Sequence, residues 1–253
     1  MVLVVASMRW PVFIFRSKDN KAELGLISAS PRPVRNYLLA ALPQPEYDLL
    51  AADLVECDLR TGEVLQALHC PTKYVWFPIS GLVSLRAEVT PGTGLEIAMV
   101  GKDGVTGIVG IDEAAYSPLS AVVTIGGTAL RIETDRFARA QNDSVVLKSL
   151  LCNAFEALLL QAGQSAVCSQ SHLLEARLAR ALLMTRRCIG LDEFHMTHEL
   201  LSQSLGVRRV GITKAATALQ RRQLIRYRRG AISLIDIPGL AATACSCYHG
   251  DNH

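Results

Sequence analysis

No other stretch of the chain leaves the fold so little freedom as residues 197–219, THELLSQSLGVRRVGITKAATAL. Two helical stretches flank Gly206. Thr197 is placed to cap the first, and Glu199 in its first turn suits the positive end of the helix dipole. Two short helices crossing around a tight turn need a small residue at their contact and a glycine where φ is positive. They also need apolar residues on their facing sides. Leu201, Ser202, Leu205, Gly206, Val207, Ile212 and Ala215 supply these at the required spacing, which predicts a helix-turn-helix. Arg208, Arg209, Val210, Thr213 and Lys214 are then left facing outward at the start of the second helix. Arg can bond guanine O6 and N7 in the major groove, while Thr and Lys suit phosphates or base edges. Further on, Leu224–Arg228 and Ala231–Ile235 around Arg229-Gly230 read as a two-stranded wing whose Arg226, Arg228 and Arg229 would grip a phosphate backbone. Gly211 is a misfit inside the second helix, costing about 1 kcal/mol relative to Ala. Close approach to DNA is its only account at this stage.

The charge distribution agrees. The 253 residues carry a formal net charge of only +3, but residues 171–253 hold 12 basic and 6 acidic side chains. Residues 1–170 hold 14 and 17, and 208–229 hold eight basic residues and no acidic one. Such asymmetry predicts a polyanion partner for the C-terminal part, here double-stranded DNA. A 50% hydrophobic composition excludes a disordered or fibrous chain. Seven scattered cysteines predict reduced, buried thiols in a cytoplasmic protein. No apolar run is read as approaching a membrane span, and Met1–Phe15 lacks the basic start of a secretory signal. Residues 1–34 are expected to be a poorly ordered extension, the alternative being a short packing strand. No Walker loop, HExxH, G-x-S-x-G or Ser/His/Asp order appears, so no catalytic residue is assigned and an enzyme is not expected.

The rest of the chain divides by texture. After Pro31-Arg32-Pro33, Asn36–Leu42 and Glu46–Leu54 read as short helices. From about 55 to 133, apolar runs at Tyr74–Phe77, Leu82–Val89, Leu95–Val100, Ala121–Ile125 and Thr128–Ile132 are separated by glycine-bearing turns. That pattern predicts an antiparallel roll or sandwich. Residues 144–166 form one long helical pattern whose stripe, Leu147, Leu151, Ala154, Leu158 and Ala162, must be buried against the roll or a second copy of the helix. We expect self-association, with Gln161, Ala162 and Ser165 allowing close approach. A further helix over His172–Cys188 is expected to be capped by Ser171. The expected parts are an extension (1–34), a β-roll (35–143), a dimerisation helix (144–170) and a winged helix-turn-helix (171–253), making an α+β protein.

This arrangement resembles the Crp/Fnr family of bacterial transcription regulators over about 36–248. Besides the helix-turn-helix, the resemblance rests on Thr61-Gly62-Glu63-Val64-Leu65, Phe77-Pro78-Ile79-Ser80-Gly81 and Gly101–Gly110. It implies a cyclic-nucleotide-binding-like β-roll (a double-stranded β-helix) and a homodimer joined through the 144–166 helix. Its two reading helices would meet half-sites about one DNA turn apart, and RNA polymerase is a candidate further partner. Family members that bind cyclic nucleotides use a Gly-Glu pair and an Arg-Ser/Thr-Ala run. Here the matching positions are Gly107-Ile108 and Leu119-Ser120-Ala121, so the carboxylate and the cation are both missing. A buried phosphate without its cation costs heavily, so control by cAMP is not expected. The degenerate pocket is filled by side chains or takes another, unknown effector. The Arg-Glu that opens the reading helix in the best-known members is Arg209-Val210 here, which implies a different operator. No cofactor or metal is assigned: no cysteine cluster precedes Cys57, and His69 has no supporting motif. Cys245 and Cys247 near the end of the chain have metal-ligand chemistry, so a thiol- or metal-responsive regulator is one alternative, against the plain reading of a frayed tail. The other is an interaction protein whose helix-turn-helix no longer binds DNA.

Overall fold

The computed structural model describes residues 35–90, 93–107 and 116–251. The expected extension over 1–34 lies outside them, as does Ile108.

Two short helices come first, α1 (Tyr37–Ala40) and α2 (Gln44–Ala51). Asn36 caps α1 from a fully buried position: its Oδ1 accepts from the amides of Leu38 and Leu39, and its Nδ2 donates to the carbonyls of Pro78 and Gly104. One side chain thus satisfies the helix start and pins it to the roll. Seven strands follow: β1 (Val55–Leu59), β2 (Val64–Gln66), β3 (Tyr74–Pro78), β4 (Leu82–Thr90), β5 (Thr93–Val100), β6 (Ser120–Ile125) and β7 (Gly127–Glu133). They build two antiparallel sheets, in the orders β1-β7-β3 and β2-β6-β4-β5. Leu59, Trp76 and Ala129 of the first sheet meet Val83, Leu85, Ala98, Val100, Ala121 and Val123 of the second in one apolar core. Val75 and Phe77, alternating with Trp76 along β3, point the other way and are covered by helices. This is why β3 reads as an unbroken apolar run: it is buried on both faces.

A helix α3 (Thr134–Asp143) leads to the long α4 (Val145–Ser171), whose buried N-cap Ser144 accepts from the amide of Leu147 at 2.9 Å. By length and composition α4 is apolar enough to cross a membrane, which corrects the expectation that no stretch approaches one. Side-chain bonds to β5 tie it to the roll instead. Next is α5 (Leu174–Ile189). Ser171 does not cap α5; it is the last residue of α4, and the cap position is Leu173, with no side-chain bond.

The C-terminal unit comprises β8 (Glu193–His195), α6 (His198–Leu205), α7 (Arg209–Arg221), β9 (Ile225–Arg228), β10 (Ala231–Leu234) and α8 (Ile237–Thr243), then a 3-10 turn over Ser246–Asp251. Its core joins Leu178, Leu182 and Leu183 of α5 to Leu201, Ile212, Leu219, Ile232 and Leu240.

Candidate nucleic-acid interface

Local sequence explains the helix-turn-helix geometry. Thr197 caps α6 by accepting from the amide of Leu200 at 3.2 Å. Gly206 ends it with φ +63°, in the left-handed region where glycine is cheapest. Ser202, 7% exposed, is the small residue at the contact, and Leu201, Ile212 and Ala215 are buried around it. The wing turn has positive φ at both Arg229 and Gly230, the requirement of a two-residue hairpin, with Arg228 and Ala231 paired across it. Gly211 lies against α5. A Cβ there would lie 2.9 Å from Cδ2 of Leu174, a side-chain tip that can shift to admit it.

Arg208, Arg209, Val210, Thr213, Lys214, Arg226, Arg228 and Arg229 are all solvent-exposed. The first five sit at the N-terminal end of α7. Arg226 and Arg228 project from β9, where Ile225 is buried and Tyr227 half-buried. The first turn of α7 holds no acidic residue, and Arg208 makes no side-chain cap. Two cations at the positive end of a helix dipole are locally unfavourable and are relieved by an anion placed there. His198 ties the parts together. Its ring stacks on Tyr227 of the wing at 4.4 Å, and its Nδ1 lies 3.1 Å from Thr213 Oγ1 on α7. Tyr227 also receives support, its hydroxyl donating to the Met196 carbonyl and its amide to Gln220 Oε1.

The expected dimer stripe is used within the chain. Leu147 and Leu151 are buried with Leu39, Phe77 and Phe137, Ala154 packs on that cluster, and Leu158 packs on the roll core. Ala162 is half-buried. Gln161 bonds the backbone of Met99 from both ends of its amide (3.0 and 3.3 Å), and Ser165 donates to the Ile97 carbonyl. Gln161 and Ser165 thus bond the free edge of β5. The apolar side chains that α4 leaves exposed include Phe155 (66%), Leu159 (65%), Leu160 and Val167. Of the stripe read from the sequence, Leu147 and Leu151 are thus covered by the chain itself.

At the expected effector positions, Gly107 adopts φ +83°, and a Cβ there would meet the Tyr74 carbonyl oxygen at 2.3 Å. Leu119 is half-buried and Ser120 buried, its hydroxyl bonded to Glu88. Arg86 stands opposite Ser120 in the strand register, and its charge favours the ionised form of the buried Glu96. A small cleft lies elsewhere, between β5, α4, α5 and α6, with Glu96, Gln161, Arg177, Met184 and Ser204 in its lining.

The cysteines are not uniformly buried as expected. Cys168, Cys188 and Cys245 are, whereas Cys70 and Cys152 are exposed. Burial pushes the Cys188 thiol up to about 12, which makes it inert. Nor is the tail frayed at Cys245 and Cys247. The two thiols pack against Cys168 and His172, residues that sequence reasoning passed over because they lie some 75 positions away.

Residues 176–243 match the family model of the Crp-like helix-turn-helix domain. No curated protein matches the chain. Several solved structures share its fold. A regulator assigned to the Crp/Fnr family from Eubacterium rectale is 16% identical, with a TM-score of 0.64, over 81% of this chain and 96% of that one. FixK2 from Bradyrhizobium japonicum is 17% identical at a TM-score of 0.65, over 76% and 98%. The c-di-GMP responsive global regulator CLP from Xanthomonas campestris is 16% identical at 0.63, over 76% and 99%. Residues 176–243 thus carry a Crp-like helix-turn-helix domain, on a chain that shares the fold of these regulators.

Proposed function

We propose that the chain reads specific DNA sequences as a homodimer, and that cAMP does not control it. The observation that carries this reading is the exposed basic group at the N-terminus of α7, flanked by an arginine-bearing wing and free of acidic residues in its first turn. Arg209 is the base reader in this account, Val210 packs on a thymine methyl, and the wing arginines hold phosphates. The apolar face of α4 around Phe155 and Leu159 supports pairing of two chains, which sets the reading helices for half-sites about one turn apart. Against cAMP stands Leu119, which offers no charge where a cyclic phosphate would need its cation.

The test starts from an operator selected out of a random duplex pool. Arg209→Ala is expected to weaken binding to that operator by about 1–3 kcal/mol and to leave binding to random duplex nearly unchanged. Equal affinity of variant and parent for the operator would remove Arg209 from base reading. For the effector, native mass spectrometry of the dimer with cAMP is expected to show no complex. Because the CLP relative is c-di-GMP responsive, cyclic dinucleotides belong in the same screen.

A further inference from the structure

We propose that Cys168, His172, Cys245 and Cys247 form a closed binding site for a thiophilic divalent cation, Zn²⁺ in the first place, which clamps the C-terminal turn to the end of α4. The four ligand atoms all lie within 4.8 Å of one another. Cys168 Sγ is 3.4 Å from Cys245 Sγ, and Cys247 Sγ is 3.8 Å from His172 Nδ1. A tetrahedral zinc ion with bonds of about 2.3 Å to sulfur and about 2.0 Å to nitrogen spaces its ligand atoms roughly 3.5–3.8 Å apart. The cluster is therefore already close to the size the ion requires.

Local structure explains the convergence. Cys168 and His172 stand four residues apart, one turn along α4, so they share a face. His172 is the residue where the helix ends, its backbone extended at φ −122° and ψ 147°. Cys245 and Cys247 bracket the start of the 3-10 turn, which is closed by the Tyr248 amide donating to the Cys245 carbonyl at 2.9 Å. The one-residue spacer is shorter than the two to four of common zinc folds, and this tight turn serves it. Three sulfurs and one imidazole form a soft donor set that suits zinc and leaves no open coordination position, the mark of a structural rather than a catalytic site. On binding, the three thiols release their protons to solvent, and the complex of three thiolates, a neutral imidazole and Zn²⁺ carries a charge of −1. Arg180 of α5, itself buried, is the cation whose field reaches both Cys168 and Cys247. A Cys168–Cys245 disulfide is the rival chemistry, but it would leave Cys247 and His172 converging on nothing.

The site joins two parts of the molecule. Gln161 and Ser165 bond α4 to β5 of the roll, and the turn bearing Cys247 follows α8 of the C-terminal unit. Occupancy would fix the C-terminal unit against the helix that carries the roll. That consequence for DNA binding rests on the reading proposed above; the site itself does not.

The full chain, purified under reducing conditions without chelator, is expected to hold about one zinc per chain by elemental analysis. After chelation, Co²⁺ titration should give thiolate charge-transfer bands and the intense visible bands of a tetrahedral ion, and Zn²⁺ should raise the unfolding midpoint. Cys168→Ser and Cys247→Ser are expected to lose the metal, and Cys152→Ser, at an exposed cysteine outside the cluster, to keep it. Alkylation mapping of the unmutated protein serves should those variants fail to fold. Zinc should protect Cys168, Cys245 and Cys247 while Cys70 and Cys152 still react. Failure of the reduced parent to retain zinc or cobalt, an octahedral cobalt spectrum, or protection that ignores these three cysteines would each overturn the site. So would a Cys168–Cys245 disulfide as the stable form of a protein that takes up no metal once reduced. Loss of DNA binding in a fully metal-loaded chain would count against the DNA reading alone.

Discussion

His198 concentrates the chemistry of the reading domain in one residue. Burial first, and then the charge of Arg209, hold its pKa below the ordinary histidine value. Its Nε2 is buried without a hydrogen-bond partner, so an added proton would find none. The unfolded chain binds that proton more readily than the folded one. Stability is therefore full above about pH 6.5 and falls as pH drops through that value toward the lowered one. The melting temperature of the native protein should decline from pH 7 to pH 5.5, and His198→Gln should flatten the decline. Identical slopes for the two proteins would refute this assignment. The sequence marked Thr213 as outward-facing, which it is, but held no sign that its hydroxyl meets His198 or that His198 lies on Tyr227. Gly206 and Gly230 were legible because a positive φ is a local demand. The neighbour of Gly211 on α5, Leu174, was not.

At the scale of elements, α4 shows where a periodic pattern stops informing. Its length and apolar character were plain, but an apolar stripe does not state what covers it. Two faces qualify, and the choice was made by the free edge of β5 and the helices around Phe77. The two faces predict different failures. Leu159→Glu places a charge on the exposed face and should turn a dimer into a monomer with little change in fold, read by light scattering after size exclusion. Leu147→Ala opens a cavity in the buried face and should cost about 2–5 kcal/mol of stability without altering the oligomeric state. A monomeric parent, or a dimeric Leu159→Glu, would contradict the assignment. The strands fared better, since glycine turns and short apolar runs are read locally. Tyr74–Phe77 and Ala121–Ile125 each fall within one residue of the observed ends.

The whole molecule couples a roll to a basic reader through more than their covalent link. Ser204 of α6 donates to Glu96 of β5 at 3.2 Å, Arg177 of α5 donates to the Leu205 carbonyl, and Leu95 lies against Gly206. Burial, as the largest influence, raises the pKa of Glu96, while Ser84, Ser204 and two arginines favour its charge. None of these contacts could be read from the chain, because each depends on how two separately legible units meet. What the chain did display is the division of charge, eight basic residues and no acidic one over 208–229. That division makes the central claim measurable. Binding of the full chain to random duplex DNA across a salt series should give log K falling linearly with log salt, with a slope near −0.9 for each phosphate neutralised. Lys214→Ala should make that slope shallower by about one. Absence of binding even at low salt, or binding indifferent to salt, would contradict the account.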